Sequence, residues 1–257
     1  RMIAPNEKYT TTNTIAVIVS SLIGSLVFTF SDTFWFSATE AEVYGLSSFF
    51  SAIVFWAMLK WSEVDDESKS LRWILLISLL IGLSIGVHLL NLLALPAIAM
   101  IYYYKKFPIT KIGITIALLT SMFLIAMIMW GIIPGTVIVA SKFELLTVNS
   151  LGLAYNSGLF LWFVITILSL AASLFFTQFS ENKILNYIFP SISVVLISAA
   201  FITGSIIINT IILGGMIYGI YYLVNHNKKY LNFIMLAFTF VMIGYSVYAT
   251  IIIRSSE

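Results

Sequence analysis

Long apolar stretches, separated by short clusters of charged residues, are the feature that most constrains the fold of this chain. A helix needs about 20 apolar residues to cross a bilayer, and stretches of this kind recur from Thr14 to Ile253. The 257 residues are 60% hydrophobic and only 9% charged, whereas a soluble domain carries about 25% charged residues to keep its surface hydrated. The sequence therefore predicts an all-α, polytopic transmembrane bundle. It excludes a soluble domain, a disordered chain, a disulfide scaffold and a nucleic-acid-binding module.

Nine segments have the length and composition of a membrane-spanning helix. They are Thr14–Phe30, Tyr44–Leu59, Trp73–Val87, Leu89–Tyr104, Ile112–Ile133, Leu159–Thr177, Ile188–Thr203, Ile206–Val224 and Leu231–Ile253. Two runs, Ile74–Tyr104 and Ile188–Val224, are long for one span and short for two, and we expect each to form a helical hairpin. Residues 1–257 are expected to form a single transmembrane domain.

The distribution of Lys and Arg decides how these two runs are divided. With a cytoplasmic N-terminus and nine spans, 11 of the 13 basic residues fall on the cytoplasmic side. They are Arg1, Lys8, Lys60, Lys69, Arg72, Lys105, Lys106, Lys111, Lys183, Lys228 and Lys229. Only Lys142 and Arg254 fall outside, whereas a single span over Ile74–Tyr104 would give a split of 7 against 6. Because short cytoplasmic loops carry the excess of Lys and Arg, the sequence predicts a cytoplasmic N-terminus and an external C-terminus.

Acidic residues concentrate in one predicted external segment, Ser31–Tyr44. Its carboxylates are Asp32, Glu40 and Glu42. Carboxylates that lie among aromatic side chains at a bilayer edge suit general-base chemistry or cation binding. The alternative is structural, because Ser37–Glu40 and Thr39–Glu42 each fit a capping box that would start the second spanning helix. Both interpretations stay open at this point.

A second polar feature interrupts the apolar run Ile74–Tyr104. His88 and Asn91 are three residues apart, so they share a face if the chain remains helical there. A polar or ionisable side chain between apolar spans indicates a binding site, and the alternative is a turn whose polar groups satisfy each other. Gly82 and Gly86 have the spacing of a small-residue face for close helix packing.

The longest predicted external loop is Pro134–Gly158. Within it, Val137–Leu146 has apolar residues at helical spacing with Lys142 and Glu144 between them, which predicts a short helix in the external interface. Loops of this length are uncommon without a purpose. We expect a lid, a platform for an acceptor, or a simple connector.

Several segments resemble a known family. They are Asp32–Tyr44, Gly82–Pro96, Phe143–Gly152 and Tyr245–Ser255. These segments resemble bacterial membrane proteins, common in Bacteroidetes and long described as a domain of unknown function, that are grouped with the TMEM-type protein O-mannosyltransferases. The resemblance extends from near Thr14 to the last residue, and it departs from the family at Ala154, where a proline is expected.

The resemblance implies a glycosyltransferase of the GT-C type in the bacterial inner membrane. Such an enzyme transfers a sugar, here mannose, from a polyprenyl-phosphate carrier to Ser or Thr of a protein at the external face. The implied partners are membrane lipid, the lipid-linked sugar donor and an acceptor protein; no nucleic acid, metal or cofactor is expected. The candidate residues are Glu42, Glu40 and Asp32 for catalysis and His88, Asn91 and Arg254 for binding the donor, with Lys142 as a weaker candidate.

The family usually places its catalytic base in a first external loop, which here would precede Arg1. We therefore expect the chain to be an internal fragment that is inactive alone and also lacks a C-terminal soluble domain. Two other classes remain: a flippase or transporter of lipid-linked sugars, and a membrane scaffold without activity. A flippase predicts cationic or polar residues deep within the spans, and a scaffold predicts that changing Glu42 or His88 alters only stability.

Overall fold

The computed structural model describes residues 10–40, 43–198 and 206–255, without the side chains of 206–212 and 248–255. The described chain is helical and contains no strand, which confirms the predicted all-α class. The α-helices of these ranges are α1 (Thr11–Thr29), α2 (Asp32–Thr39), α3 (Tyr44–Glu63), α4 (Glu67–Ile85), α5 (Ala94–Lys106), α6 (Lys111–Ala126), α7 (Ile133–Leu145), α8 (Ser157–Phe179), α9 (Lys183–Ser198), α10 (Ile206–His226) and α11 (Lys228–Ser255). The chain divides into two compact units, Arg1–Phe49 and Phe50–Glu257.

The first unit contains α1, α2 and the start of α3. The Thr10 hydroxyl begins α1 by accepting a hydrogen bond from the N–H of Asn13 at 3.3 Å, as an N-cap does. The rings of Phe28 and Phe34 lie 4.5 Å apart and join α1 to α2. No residue of α1 is buried, and a mostly apolar helix whose hydroxyls bond to its own carbonyls, as those of Ser21 and Thr29 do, suits contact with lipid.

The second unit is organised around the crossing of α4 and α11. A Cβ atom at Gly82 would lie 2.2 Å from the carbonyl oxygen of Val241, and one at Gly244 would lie 2.6 Å from that of Leu79. The two backbones therefore approach so closely that only glycine fits at either position. The predicted packing role is confirmed for Gly82. Gly86 is instead exposed and ends α4.

The core of the second unit lies where α3, α4 and α11 meet. Its most deeply buried members are Val54, Ala57, Met58, Trp61, Ile85, Leu92, Ile197, Leu231, Met235 and Tyr245. Trp61 is fully buried, and its indole N–H donates to the Ser70 hydroxyl at 2.7 Å. Outward-facing side chains of α6 and α8 are also apolar, as Ile112 and Phe160 show with 74% and 70% exposure. Lipid is the solvent that such surfaces require.

Most of the predicted loop Pro134–Gly158 is helical, so the loop prediction is wrong. A π-helical segment, Met127–Ile132, joins α6 to α7, and a second one, Leu146–Ser150, extends α7. Pro134 lies in the first turn of α7, where its missing N–H is tolerated, and the π segment before it absorbs the change in backbone pairing. The predicted helix at Val137–Leu146 exists, but it continues α6 instead of lying separately in the interface.

The helical run Lys111–Ser150 is 40 residues long. At 1.5 Å per residue it measures about 60 Å, twice the roughly 30 Å of a hydrocarbon core. The run must therefore tilt strongly, bend at its π segments or project beyond one membrane face. Only residues 151–156 remain as a connector to α8.

Helices that are long and apolar enough to cross a membrane occur in both units. They are Thr11–Thr29, Glu67–Ile85, Lys111–Ser150, Ser157–Phe179 and Lys228–Val247, and α2 with α3 would make a sixth span if the bent pair counts as one. Every one of the nine predicted segments contains helix, although Ile188–Thr203 is described only as far as Ser198. Integral membrane character is thus supported, and the count of nine spans stays a prediction.

Four connectors of the second unit meet at one end, which we call the basic end. These are the connectors that follow α3, α5, α8 and α10. Polar contacts between them join Lys105 to the carbonyls of Trp61 and Val64, Lys228 to Glu181, Lys229 to Glu67, Lys183 to Asn225 and Tyr102 to Tyr230. Because α4 begins and α5 ends at the basic end, the two helices run antiparallel. The chain thus reverses within Ile74–Tyr104 as the predicted hairpin requires, but only α4 is among the candidate spans. A second span over α5 and the side of the membrane that the basic end faces stay predictions.

Candidate functional site

The turn between α4 and α5 holds the first pair of candidate residues. The N–H of His88 donates to the Ser84 carbonyl at 2.9 Å, and a 3₁₀ turn, Leu89–Leu93, follows. His88 has an extended backbone, and its Nδ1 accepts a hydrogen bond from the N–H of Leu90 at 3.1 Å. An acceptor at Nδ1 means that the neutral imidazole carries its proton on Nε2. The half-buried ring therefore caps the turn with one nitrogen and has a donor on the other.

Asn91 is buried, with 6% of its surface exposed. Its Oδ1 accepts a hydrogen bond from the Ser51 hydroxyl at 2.8 Å, and its Nδ2 points at the Ser84 carbonyl at 3.5 Å. Its backbone N–H donates to the His88 carbonyl at 3.2 Å. Asn91 thus links α3, α4 and the turn, and it holds the segment that carries His88.

The spacing of His88 and Asn91 correctly placed the two residues together, and the geometry favours different duties for them. The contacts of Asn91 match the structural alternative, a turn whose polar groups satisfy one another. Sequence reasoning missed Ser51 and Ser84, which complete this cluster. Ser51 lies 40 positions before Asn91, and no local pattern connects the two.

The acidic candidates of the first unit lie on and just after α2. Asp32 is in the first turn of α2, and Glu40 ends the helix by donating its N–H to the Phe36 carbonyl at 3.0 Å. Both side chains are exposed. No group of three His, Asp or Glu residues in the described ranges is placed to hold a metal ion.

The capping-box interpretation of Ser37–Glu40 is wrong. The Ser37 hydroxyl donates to the Thr33 carbonyl at 2.9 Å, and the Thr39 hydroxyl donates to the Trp35 carbonyl at 2.9 Å. Both hydroxyls therefore bond backward within α2, and Ser37 lies inside that helix instead of starting α3.

Two candidate residues have no structural account. Glu42 lies outside the described residues, together with the second half of the Thr39–Glu42 pattern. Arg254 lies on α11, but its side chain is outside the description.

Glu144 has a structural role that the sequence did not indicate. Its carboxylate accepts hydrogen bonds from the N–H groups of Asn156, Gly158 and Leu159 at 2.6, 2.9 and 3.0 Å. These N–H groups belong to the start of α8, so Glu144 caps that helix from the end of α7. A Cβ at Gly158 would lie 2.3 Å from the Phe143 carbonyl, which shows how closely the two helix ends approach. Lys142, the weaker candidate, is exposed.

Comparison with known proteins gives one result that bears on function. Residues 1–111 match a family model described as the protein O-mannosyl-transferase TMEM260 N-terminal domain. The match covers α1 to α5 and includes the acidic candidates of Ser31–Tyr44 as well as His88 and Asn91. No curated protein and no solved structure matches the chain. The family match supports the resemblance seen in the sequence for this part of the chain, whereas residues 112–257, with Arg254, lie beyond it.

Proposed function

We propose that the chain is part of a membrane glycosyltransferase of the GT-C type. In this proposal it transfers mannose from a polyprenyl-phosphate carrier to a Ser or Thr hydroxyl of a protein at the external face. The observation that carries the proposal is the match of residues 1–111 to a protein O-mannosyltransferase domain. The helical, lipid-compatible architecture agrees with a donor substrate that resides in the bilayer.

His88 is the residue whose geometry best suits the donor. Transfer releases a phosphate on the polyprenyl carrier, and hydrogen-bond donors aimed at that phosphate lower the barrier. The Leu90 N–H occupies Nδ1, which directs the imidazole proton to Nε2. We assign Nε2–H as a donor to a phosphate oxygen, and Asn91 as the residue that holds the turn through Ser51.

The acceptor hydroxyl needs a base, and the acidic segment Ser31–Tyr44 of the sequence contains the candidates. Glu40 is exposed at the C-terminal end of α2, where an acceptor that arrives from water can reach its carboxylate. Glu42 is retained from the sequence as the leading acidic candidate, with Asp32 behind it. Arg254 is retained as a cation for the donor phosphate.

The test of His88 separates capping from donor binding. Asn is a good capping residue, so His88→Asn keeps an acceptor for the Leu90 N–H but removes Nε2. His88→Ala removes both functions. In membranes that contain the full-length protein, we expect both variants to lose about tenfold in transfer from mannosyl-polyprenyl phosphate to a Ser/Thr peptide, or about 1.4 kcal/mol of barrier.

The outcomes for these two variants are distinct. Parental transfer by His88→Asn, with loss only in His88→Ala, would assign His88 to the turn alone. If the unaltered protein transfers no sugar from the lipid carrier, the glycosyltransferase proposal fails, and the flippase and scaffold classes remain.

The carboxylates are tested by removing charge without changing shape. Glu40→Gln and Glu42→Gln are each expected to lose at least about tenfold in transfer rate if the residue acts as the base. Glu40→Gln should leave thermal stability in detergent near the parental value because the side chain is exposed. Glu67→Gln, the same change at an exposed carboxylate of the basic end, is the matched control and should transfer normally. Parental rates in both test variants would exclude these carboxylates from catalysis.

A further inference from the structure

One face of α8 carries a row of small polar side chains, and polar residues of α9 face this row. We call the two rows together the α8–α9 seam. The seam consists of Thr166, Ser169, Ser173 and Thr177 on α8 and of Asn186 and Ser193 on α9. All six are buried. The Ser193 hydroxyl donates to the Ser169 hydroxyl at 3.1 Å, which shows that the two rows face each other.

Three polar atoms of the seam have no hydrogen-bond partner within the protein. They are Thr166 Oγ1, Ser173 Oγ and Asn186 Oδ1, and their side chains are 6%, 0% and 1% exposed. Buried polar groups are almost always hydrogen-bonded, to protein or to ordered water. The other hydroxyls of the seam obey this rule: Thr177, for example, donates to the Ser173 carbonyl and accepts from Asn232.

The surroundings of Asn186 specify the chemistry of the missing partner. Its Nδ2 donates to the Ser180 carbonyl at 3.0 Å, which fixes the amide and leaves Oδ1 as an acceptor. Pro190 has no N–H to donate to the Asn186 carbonyl four residues earlier in the helix. One residue thus offers two acceptor oxygens, and a molecule with two O–H donors meets that need.

The seam begins close to the basic end, at Asn186. Asn186 lies in the first turns of α9, and its N–H bonds to the carbonyl of Asn182 in the solvated connector of the basic end. The residues that define the seam are all uncharged, so a neutral ligand suits them better than an ion. Water both donates and accepts, and it serves the Asn186 acceptors as well as the hydroxyls of Ser173 and Thr166.

We propose that the α8–α9 seam is a binding site for ordered water, with one molecule on Asn186 Oδ1 and one on Ser173 Oγ. These molecules complete the hydrogen bonding between α8 and the proline-containing helix α9. The site is independent of the proposed glycosyl transfer, so it stands or falls separately.

The direct test is a map of the intact protein in a lipid nanodisc at a resolution that shows water. Density is expected within hydrogen-bonding distance of both Asn186 Oδ1 and Ser173 Oγ. A map that shows other buried waters but no density at these two oxygens would overturn the proposal. This test needs no variant, so it does not depend on whether a substituted protein folds.

A second test compares two buried serines. Ser173→Ala removes the proposed water ligand, whereas Ser78→Ala removes a hydroxyl that already bonds to its own helix, at the Ile74 carbonyl. If Ser173 holds water, its alanine variant melts at a lower Tm than the Ser78 variant because a water loses its partner. An equal or higher Tm for Ser173→Ala means that an unpaired hydroxyl was removed from a dry site, and this result contradicts the proposal.

Discussion

The two ends of the second unit are held together in different ways. At the basic end, side chains from different hairpins bond to one another, and all three ion pairs of the described ranges lie there. At the opposite end, two described connections are closed mainly by their own caps: His88 caps the turn after α4, and Glu144 caps the start of α8. Ser51 adds a link from α3 to the turn.

This difference follows from the chemistry of the two ends. The basic end collects lysines and tyrosines, which suit a membrane interface rich in headgroups and water. Tyr187, Tyr221, Tyr222 and Tyr230 lie among its lysines. The hydrogen bonds and ion pairs at this end hold neighbouring connectors together. At the other end, His88 and Glu144 are themselves the caps, and each accepts hydrogen bonds from backbone N–H groups of the connection that it closes.

The largest expected effect concerns which end faces the cytoplasm. Cysteines at Ser68 and Asn227, both at the basic end, should be shielded from a membrane-impermeant thiol reagent in intact cells. Cysteines at Ser37 and Ser150 should be labelled. Residues 1–257 contain no cysteine, so within this segment only the introduced residue is labelled. Labelling at Ser68 but not at Ser37 would invert the orientation.

Removal of the Glu144 cap should give the largest loss of stability among the end contacts. Glu144→Ala leaves three N–H groups at the start of α8 without their acceptor, and we expect about 2 kcal/mol of destabilisation from the lost cap and helix-dipole contact. Glu144→Gln should lose about half of this, because the amide oxygen still accepts.

Hydrogen exchange locates the effect of the Glu144 variants. The amides of Asn156, Gly158 and Leu159 should exchange faster in Glu144→Ala, while Lys142→Ala, two residues earlier and exposed, serves as the control. Unchanged exchange at these three amides would show that the carboxylate does not hold the α7–α8 connection.

A cap at the basic end should matter less, because neighbouring contacts share its task. The Lys105 ammonium donates to the carbonyls of Trp61 and Val64 at the end of α3 and lies 4.5 Å from the centre of the Trp61 ring. Lys105→Met keeps the apolar stem but removes these contacts, and we expect a loss of about 1 kcal/mol by thermal unfolding. Lys106→Met, at an exposed neighbour, should be close to neutral. A loss equal to that of Glu144→Ala would contradict the contrast between the ends.

The course of the chain at the basic end could be predicted because charge marks it. The count of Lys and Arg alone required a hairpin within Ile74–Tyr104, and α4 and α5 form it. Pro134 misled the prediction because proline usually stops a helix, whereas a π segment lets α6 continue into α7. The serine and threonine of Ser37–Glu40 misled it in the same way, since their hydroxyls also bond within a helix.

The candidate site could be predicted only where its parts are close in sequence. The spacing of three residues placed His88 beside Asn91, but the partnership with Ser51 depends on how α3 packs. The Glu144 cap reaches 12 to 15 residues forward. This cap depends on the close approach of the end of α7 to the start of α8, whereas the sequence predicted a loop over most of this region. Tertiary contacts of this kind leave no local pattern.

The smallest expected effect is a pH dependence of the basic end. The Lys228 ammonium donates to Glu181 at 2.8 Å and lowers the pKa of that carboxyl from its ordinary value of 4.5. The folded protein therefore binds fewer protons than the unfolded chain in acid, so the contribution of the pair is complete above about pH 4.5 and is lost as the pH falls through the lower folded value.

Glu181→Gln keeps an acceptor for Lys228 but does not titrate. In thermal unfolding, the parent should have a slightly higher Tm than Glu181→Gln at about pH 6, and this advantage should vanish towards about pH 3. The effect is small because the Glu181 carboxylate is almost fully exposed. The N–H of Lys69 also lowers the pKa of Asp66, but Asp66 is present in both proteins and does not contribute to their difference in Tm. A difference in Tm that stays constant over this range would show that the ion pair does not stabilise the basic end.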